Sequence, residues 1–308
     1  MPVPTLFTDK KPILIAGPTA SGKSALAIKI ARQCNGAIIN ADALQVYEGW
    51  NILTARPGAD DLGQCPHYMY GYVAMDQSYS VGGWLRAVKQ QLTDCETRGE
   101  RPVVVGGTGL FFSALTKGLA DIPKVPLEVR QKADQMAIDQ GRDVFAAILK
   151  LKDPDTYAQI DVQNPARTQR AWEVLETTGT GLSTWQKNQP APIIPEAEAH
   201  LISLTSDTDW LNARIDQRFD TMVSLGALEE CRAAMGSWWD ETLPSCKAIG
   251  AKELIYHLKG ELGLTDAVEA AKLQTRRYAK RQRTWFRSHM KTWHKLHISD
   301  DEIDIPLL

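Results

Sequence analysis

The stretch ILIAGPTASGKSALA, residues 13–27, decides the fold. A short apolar run stops at glycine, GPTASGKS matches the pattern G-x-x-x-x-G-K-[ST], and a helix-forming segment follows. Gly17 and Gly22 let the backbone curl so that successive N–H groups point inward, and the following helix adds its positive end. Such a turn cradles phosphate oxygens. Lys23 reaches the terminal phosphate, and the Ser24 hydroxyl is placed to ligate Mg²⁺. By motif alone the loop is nucleotide-binding and ATP-binding, although a second kind of substrate can supply the phosphates equally well. A chance glycine-rich turn is the bland alternative, and the strand before and helix after argue against it.

Working outward, PILIA (12–16), AIIN (37–40), RPVVV (101–105) and HLISL (200–204) read as short buried strands, with a helix over 22–34. Strands alternating with helical stretches predict an α/β fold, a P-loop NTPase-like parallel sheet with helices on both faces. In such sheets ligands bind beyond the carboxyl ends of the strands. The phosphate loop, Asp42 and the turn at Gly106–Gly109 all fall there. Between about residues 118 and 198 the pattern is helical without a strand-like run, bounded by DIPKVP and QPAPIIP, and reads as a helical insertion domain. The expected organisation is a first core part (1–117), the insertion (118–198) and a second core part (199–308). The chain finishes in basic helices: nine Lys/Arg and no Asp/Glu lie between Lys272 and Lys295. On a helical wheel Arg276, Lys280, Arg283, Arg287 and Lys291 share one face, with Tyr278, Trp285, Trp293 and Leu296 on the other. A solvated charged face is the ordinary reading of such a helix; the lack of acidic partners tilts it towards an RNA backbone.

Composition narrows the class. Of 308 residues, 44% are hydrophobic and 23% charged, with a net charge of −2, an ordinary globular composition that leaves a local basic surface open. The five cysteines form no C-x-x-C pair, so neither a disulfide framework nor a zinc ribbon is expected, and a cytoplasmic setting is. The N-terminus MPVPTLFTDKK is too short and polar for a signal peptide, and no run spans a bilayer, so no membrane partner is expected.

An ATP-using loop calls for a strand ending in a metal-binding Asp, yet PVVV runs into GGTG, and no N-K-x-D guanine motif occurs. A small-molecule or nucleotide kinase stays open. Asp42, at the tip of the second strand, is suited to ligate a metal or act as a base; a turn-capping aspartate is its bland reading. Gln45, Tyr47, Thr54 and Arg56 after it form a polar set able to hydrogen-bond a large substrate.

GPTASGKS, DALQVYEGWNILTARP (42–57), GGTGLF (106–111), NPARTQRAWEVLETTG (164–179), RIDQRFDTMVSLGALEE (214–230), KAIGAKEL (247–254) and TRRYAKRQRTWF (275–286) together resemble the tRNA dimethylallyltransferase (tRNA isopentenyltransferase) family, in order over nearly the whole chain. The resemblance implies transfer of the five-carbon group of dimethylallyl diphosphate to N6 of the adenosine 3′ to the anticodon, nucleotide 37. The products would be N6-isopentenyladenosine and diphosphate. It implies diphosphate binding by Gly17, Thr19, Ala20, Ser21, Gly22, Lys23, Ser24 and Arg218, and catalysis by Asp42 as base with Lys23, Arg218 and Thr108. Mg²⁺ is the implied cofactor, on Ser24 and Asp42. The anticodon stem-loop of tRNA is the implied partner of a monomer. It would be met by Asp42, Ala43, Leu44, Gln45 and Thr108, by Arg130 with Ala166, Arg167, Thr168, Gln169 and Arg170, and by Lys247, Ala248, Ile249, Gly250, Ala251 and Lys252. Arg276, Lys280, Arg281 and Arg283 complete the implied set. The family often carries Tyr at the positions of Phe111 and Ala251, and some relatives a C-terminal zinc finger for which His289, His294 and His297 have no cysteine partners here.

Overall fold

The computed structural model describes residues 9–299. Of the segment MPVPTLFTDKK, weighed above as a leader, the first eight residues lie outside them. In chain order the elements are β1 (Ile13–Ala16), α1 (Lys23–Gln33), β2 (Gly36–Asn40), α2 (Ala59–Leu62), β3 (His67–Tyr68), α3 (Val81–Arg98), β4 (Arg101–Gly106) and α4 (Gly109–Lys117). Then come α5 (Leu127–Gln140), α6 (Val144–Lys152), α7 (Pro154–Gln159), α8 (Pro165–Thr178) and α9 (Leu182–Lys187). β5 (His200–Thr205), α10 (Thr208–Ser224), α11 (Ala227–Met235), α12 (Ala251–Leu258), α13 (Leu264–His289) and β6 (His294–His297) follow.

All six strands are parallel, in the order β3-β2-β4-β1-β5-β6. Parallel strands need both faces covered, and their side chains alternate between two apolar layers. Leu14, Ile39 and Val104 enter one layer with Trp84, Phe112 and Phe286. Ile13, Ile15, Ile38 and Val103 enter the other with Leu26 and Ile30 of α1. The parallel direction brings the carboxyl ends of β1, β2 and β4 to one edge, with Gly17, Ala41 and Gly107 next in the chain. Gly106 is required there: a Cβ would sit 2.0 Å from the Ala41 carbonyl oxygen.

Two edge strands lie beyond the sequence reading. β3 is two residues long, and β6 was read as part of the last basic helix. α13 stops at His289, and residues 294–297 pair with Ile202–Thr205. Lys291, Trp293 and Leu296 therefore do not belong to the helix. Its buried side is Ala267, Ala271, Lys272, Ala279, Gln282 and Phe286, and Tyr278 and Trp285 are only half-buried. Nor do its cations lack acidic partners: Arg276 pairs with Asp216, and Lys272 bonds Asp220 at 2.8 Å and Glu269 at 3.1 Å.

The chain divides into two compact units, Met1–Thr116 with Ile193–Leu308, and Lys117–Pro192. The second unit ends before residue 198 because Ile194 is buried in the sheet layer and donates its N–H to the Leu115 carbonyl at 3.1 Å. The helical unit packs α5, α6 and α8 around Ala133, Phe145 and Trp172, and a buried Thr156–Ser183 hydroxyl pair at 3.1 Å ties α7 to α9. Pro165 at the start of α8 and the Asn164 side chain, accepting from the Ala166 and Arg167 N–H groups, fix where that helix begins.

Candidate active site

The phosphate loop has a shape that sequence spacing alone implies. Gly22 caps α1 in the left-handed region (φ 83°), and Ala20 also holds a positive φ of 63°. Such a residue costs about 1–2 kcal/mol unless it is glycine. The Arg214 guanidinium stabilises the turn by donating to the Ala20 carbonyl at 3.1 Å. Three groups in the loop are weakly engaged. The Ser21 hydroxyl is buried with no hydrogen-bond partner. Lys23 reaches only the Pro18 carbonyl, at 3.3 Å. Ser24 is exposed on the first turn of α1. Burial pulls the Lys23 ammonium down to about 8, the Asp42 charge pushes back, and the Arg218 charge adds to the depression. A lysine held that way gains from an arriving anion.

Asp42 is fixed by its surroundings. The buried Asn40 side chain accepts the Asp42 N–H at 2.8 Å and donates to the Asp42 and Met69 carbonyls at 3.1 and 3.0 Å. Thr108 Oγ1 accepts the Ala43 N–H at 2.9 Å. One Asp42 oxygen, Oδ1, accepts the Leu44 N–H at 3.0 Å, so the turn-capping role is real. The other, Oδ2, lies 3.5 Å from where Gly107 would carry a Cβ. One carboxylate closes a turn and also lines the neighbouring cavity.

That cavity, of about 80 Å³, has two characters. Leu44, Leu53, Ile215, Phe219, Met222 and Ile249 give it an apolar side; Thr19, Asp42, Thr54, Arg218, Thr275 and Tyr278 give it a polar one. Arg218 is held below its usual range by burial, with Asp42 opposing and Arg214 adding to the shift. Burial and then the Asp42 charge push the Tyr278 phenol up, leaving it a neutral donor. The arrangement suits a small apolar group attached to an anion, with a carboxylate beside the bond between them.

Sequence reasoning missed Gln282. Buried on α13, its amide accepts the Thr19 N–H at 2.9 Å and donates to the Gly107 carbonyl at 2.9 Å, joining the phosphate loop to the β4 turn. A lone Gln among arginines gave no signal. Asn40 and Arg214 were missed for the same reason.

The polar set after Asp42 is engaged with the protein itself. Gln45 donates to the Thr54 and Ala55 carbonyls at 2.8 and 3.0 Å, Thr54 to Trp50, and Arg56 to Tyr47 and Glu48. The Tyr47 hydroxyl accepts the Tyr79 N–H. These side chains hold the loop, and Thr54 also lines the cavity. In the 247–252 segment Ala248 and Ala251 are buried, Gly250 caps α12 at φ 94°, and Lys252 pairs with Glu241 at 2.7 Å; Lys247 is exposed. Phe111 is core, stacked on Trp84 at 4.4 Å. On α13 Lys280 and Arg281 are exposed, and Arg283 donates to Thr208 at 2.6 Å. In the helical unit Arg130 and Arg167 are exposed, Arg170 and Gln169 half-buried, and Thr168 faces the interior.

The IPP transferase family pattern matches residues 45–289, and an isopentenyl transferase pattern matches residues 11–69. The chain belongs to the IPP transferase family. A tRNA dimethylallyltransferase of Dinoroseobacter shibae is 53% identical over 296 residues, 95% of this chain and 97% of that one. One of Cereibacter sphaeroides is 52% identical over 296 residues, 96% and 91%. The crystal structure of the full-length tRNA isopentenylpyrophosphate transferase of Bacillus halodurans shares 30% identity with a TM-score of 0.68, covering 96% of this chain and 92% of that one. A eukaryotic dimethylallyltransferase acting on tRNA shares 27% with a TM-score of 0.80, covering 95% and 75%. Membership in the IPP transferase family confirms the parallel-sheet reading and does not favour the kinase alternative. The five cysteines are free, and no described helix is long and apolar enough to cross a membrane.

Proposed function

We propose that this chain transfers the dimethylallyl group from dimethylallyl diphosphate to N6 of the adenosine 3′ to the anticodon, nucleotide 37 of a tRNA, releasing diphosphate. The observation that carries the reading is the two-sided cavity beside the phosphate loop, with Asp42 on its lining. The five-carbon group lies against Ile215, Phe219 and Met222, and the diphosphate in the loop with Lys23 and Arg218. The exocyclic amine of adenine is a poor nucleophile because its lone pair is delocalised. As the new C–N bond forms and the C–O bond breaks, Asp42 takes the amine proton and the electron pair leaves with the diphosphate. Loop N–H groups, Lys23 and Arg218 meet that growing charge. The Thr108 hydroxyl, through Ala43, keeps the carboxylate in place.

Among the described residues no group of three or more His, Cys, Asp or Glu is arranged to hold a metal ion by itself. Mg²⁺ usually takes only one or two protein oxygens and completes its shell with phosphates and water, so the Ser24 hydroxyl, with Asp42 reached through one of those waters, is a fitting donor set. When bound there, the ion supplies positive charge to the leaving diphosphate.

The anticodon stem-loop is the RNA partner, met by the first turn of α8 and by exposed Arg130 in the helical unit, and by Lys280 and Arg281 on α13. The protein works as a monomer in the cytoplasm. Incubation with labelled dimethylallyl diphosphate and bulk tRNA tests the reading: label enters RNA at adenosine 37 without ATP. Lys23-dependent ATP turnover with no labelled RNA would contradict it.

A further inference from the structure

Against α13 lies a second recess, of about 490 Å³, which shares no residue with the Asp42 cavity. Its wall carries Lys280, Arg283, Arg287 and Lys295, and no carboxylate. The first three recur on one helix face at intervals of three and four, and Lys295 comes from the edge strand β6. Like charges gathered this closely destabilise each other by mutual repulsion, unless an anion sits among them.

The floor is the stronger observation. Ser203, within strand β5, is 1% exposed and lines the recess, and its hydroxyl has no hydrogen-bond partner. The Ser206 hydroxyl and the Arg283 Nε, both also on the lining, are buried and unpartnered. A buried polar group without a partner is destabilising, and three in one recess share a single remedy. Arg283 is already aimed, because its Nη1 donates to the Thr208 hydroxyl on the first turn of α10. The α10 N-cap, Asp207, does not cap the helix with its side chain, so the positive end of a 17-residue helix opens beside the same wall.

We infer that this recess is a second anion site, which takes the terminal phosphate or diphosphate of a small molecule. A terminal phosphate has three free oxygens and one attachment, so it enters end-on and can reach hydroxyls on a buried floor. An RNA backbone phosphate is attached on two sides and rests on a surface, where it would meet the exposed Lys280 and Arg287 but not Ser203. The inference stands apart from the prenyl-transfer reading, because no residue of the recess serves that reaction except through Lys280 and Arg283, assigned above by resemblance to RNA.

Titration calorimetry with inorganic diphosphate tests it on the full-length protein. The wild type binds two diphosphates, and Lys23→Ala with Arg218→Ala leaves one. Adding Arg287→Gln and Lys295→Gln, both at exposed positions, weakens that remaining site by roughly tenfold or more, since each removes a charge-assisted hydrogen bond. Ser203→Ala lowers affinity at the same site while thermal stability stays level or rises, because an unpartnered buried hydroxyl is gone. A single diphosphate site in the wild type would overturn the inference. So would an Arg287→Gln, Lys295→Gln protein that keeps its second diphosphate and loses affinity for an anticodon stem-loop instead, which would make the recess an RNA contact. A Ser203→Ala protein changed only in stability would overturn it as well.

Discussion

Two loops leave the same edge of the sheet, and they use their polar side chains in opposite ways. In the phosphate loop the polar groups are left over: Ser21 has no partner, Lys23 has one long bond to a carbonyl, and Arg218 nearby has none among the described residues. In the loop after β2 nearly every polar group is engaged. Gln45, Thr54 and Arg56 close it internally, the Glu230 carboxylate accepts the N–H groups of Asn51, Ile52 and Leu53 at 2.6, 3.0 and 2.9 Å, and Trp50 donates to Ser245 at 2.9 Å. The first loop is built to receive a charge, and the second to hold Asp42 still. A polar residue near a site therefore says little until its partners are counted.

The largest effect that could break this contrast is on the phosphate side. Arg218→Ala should lower the transfer rate by about 10²–10³, the usual loss for one preorganised charge-stabilising group. The melting temperature should hold or rise, because a cation depressed by burial disappears. Single-turnover transfer with calorimetric melting reads both, and a large drop in melting temperature would show that Arg218 is structural.

Gln45→Leu should do the reverse. Two loop carbonyls lose their donor, and stability should fall by about 1–3 kcal/mol in denaturant unfolding. Transfer per folded molecule should stay within a few-fold. Full stability with lost tRNA affinity would restore Gln45 as a substrate contact.

A smaller effect concerns Lys23. Its ammonium titrates at about 8 in the free protein, and a bound diphosphate raises that value. Between the free and bound values the complex holds more proton than the free protein. Diphosphate binding should therefore take up a fraction of a proton near pH 8–9 and weaken as pH rises through that range. Below the free value affinity should be level. Calorimetry in buffers of different ionisation enthalpy measures the uptake, and Lys23→Met should remove it.

The smallest is on α13. Arg281→Ala should lower the slope of log K against log salt for tRNA by roughly one unit with transfer on saturating tRNA unchanged. An unchanged slope would make that face merely solvated.

What could be read in advance follows from range. The phosphate loop and the four central strands were legible because their signals are local: a fixed glycine spacing, and apolar runs ending in turns. The interior of the Asp42 loop was not, since its partners Glu230 and Ser245 lie nearly two hundred residues away. The acidic partners of α13 were missed likewise, because Asp216 and Asp220 sit on α10. β6 was hidden because HKLH continues a basic run whose helical period persists past the residue where the helix ends.

The central claim is that Asp42 keeps one oxygen for the turn and one for the proton. Asp42→Asn preserves the acceptor for the Leu44 N–H and removes the base. Single-turnover transfer by folded, tRNA-saturated variant is the direct measurement. The account predicts a fall of about 10²–10⁴ in rate with melting temperature and tRNA affinity close to wild type. A rate within a few-fold of wild type, or a loss explained by unfolding, would contradict it.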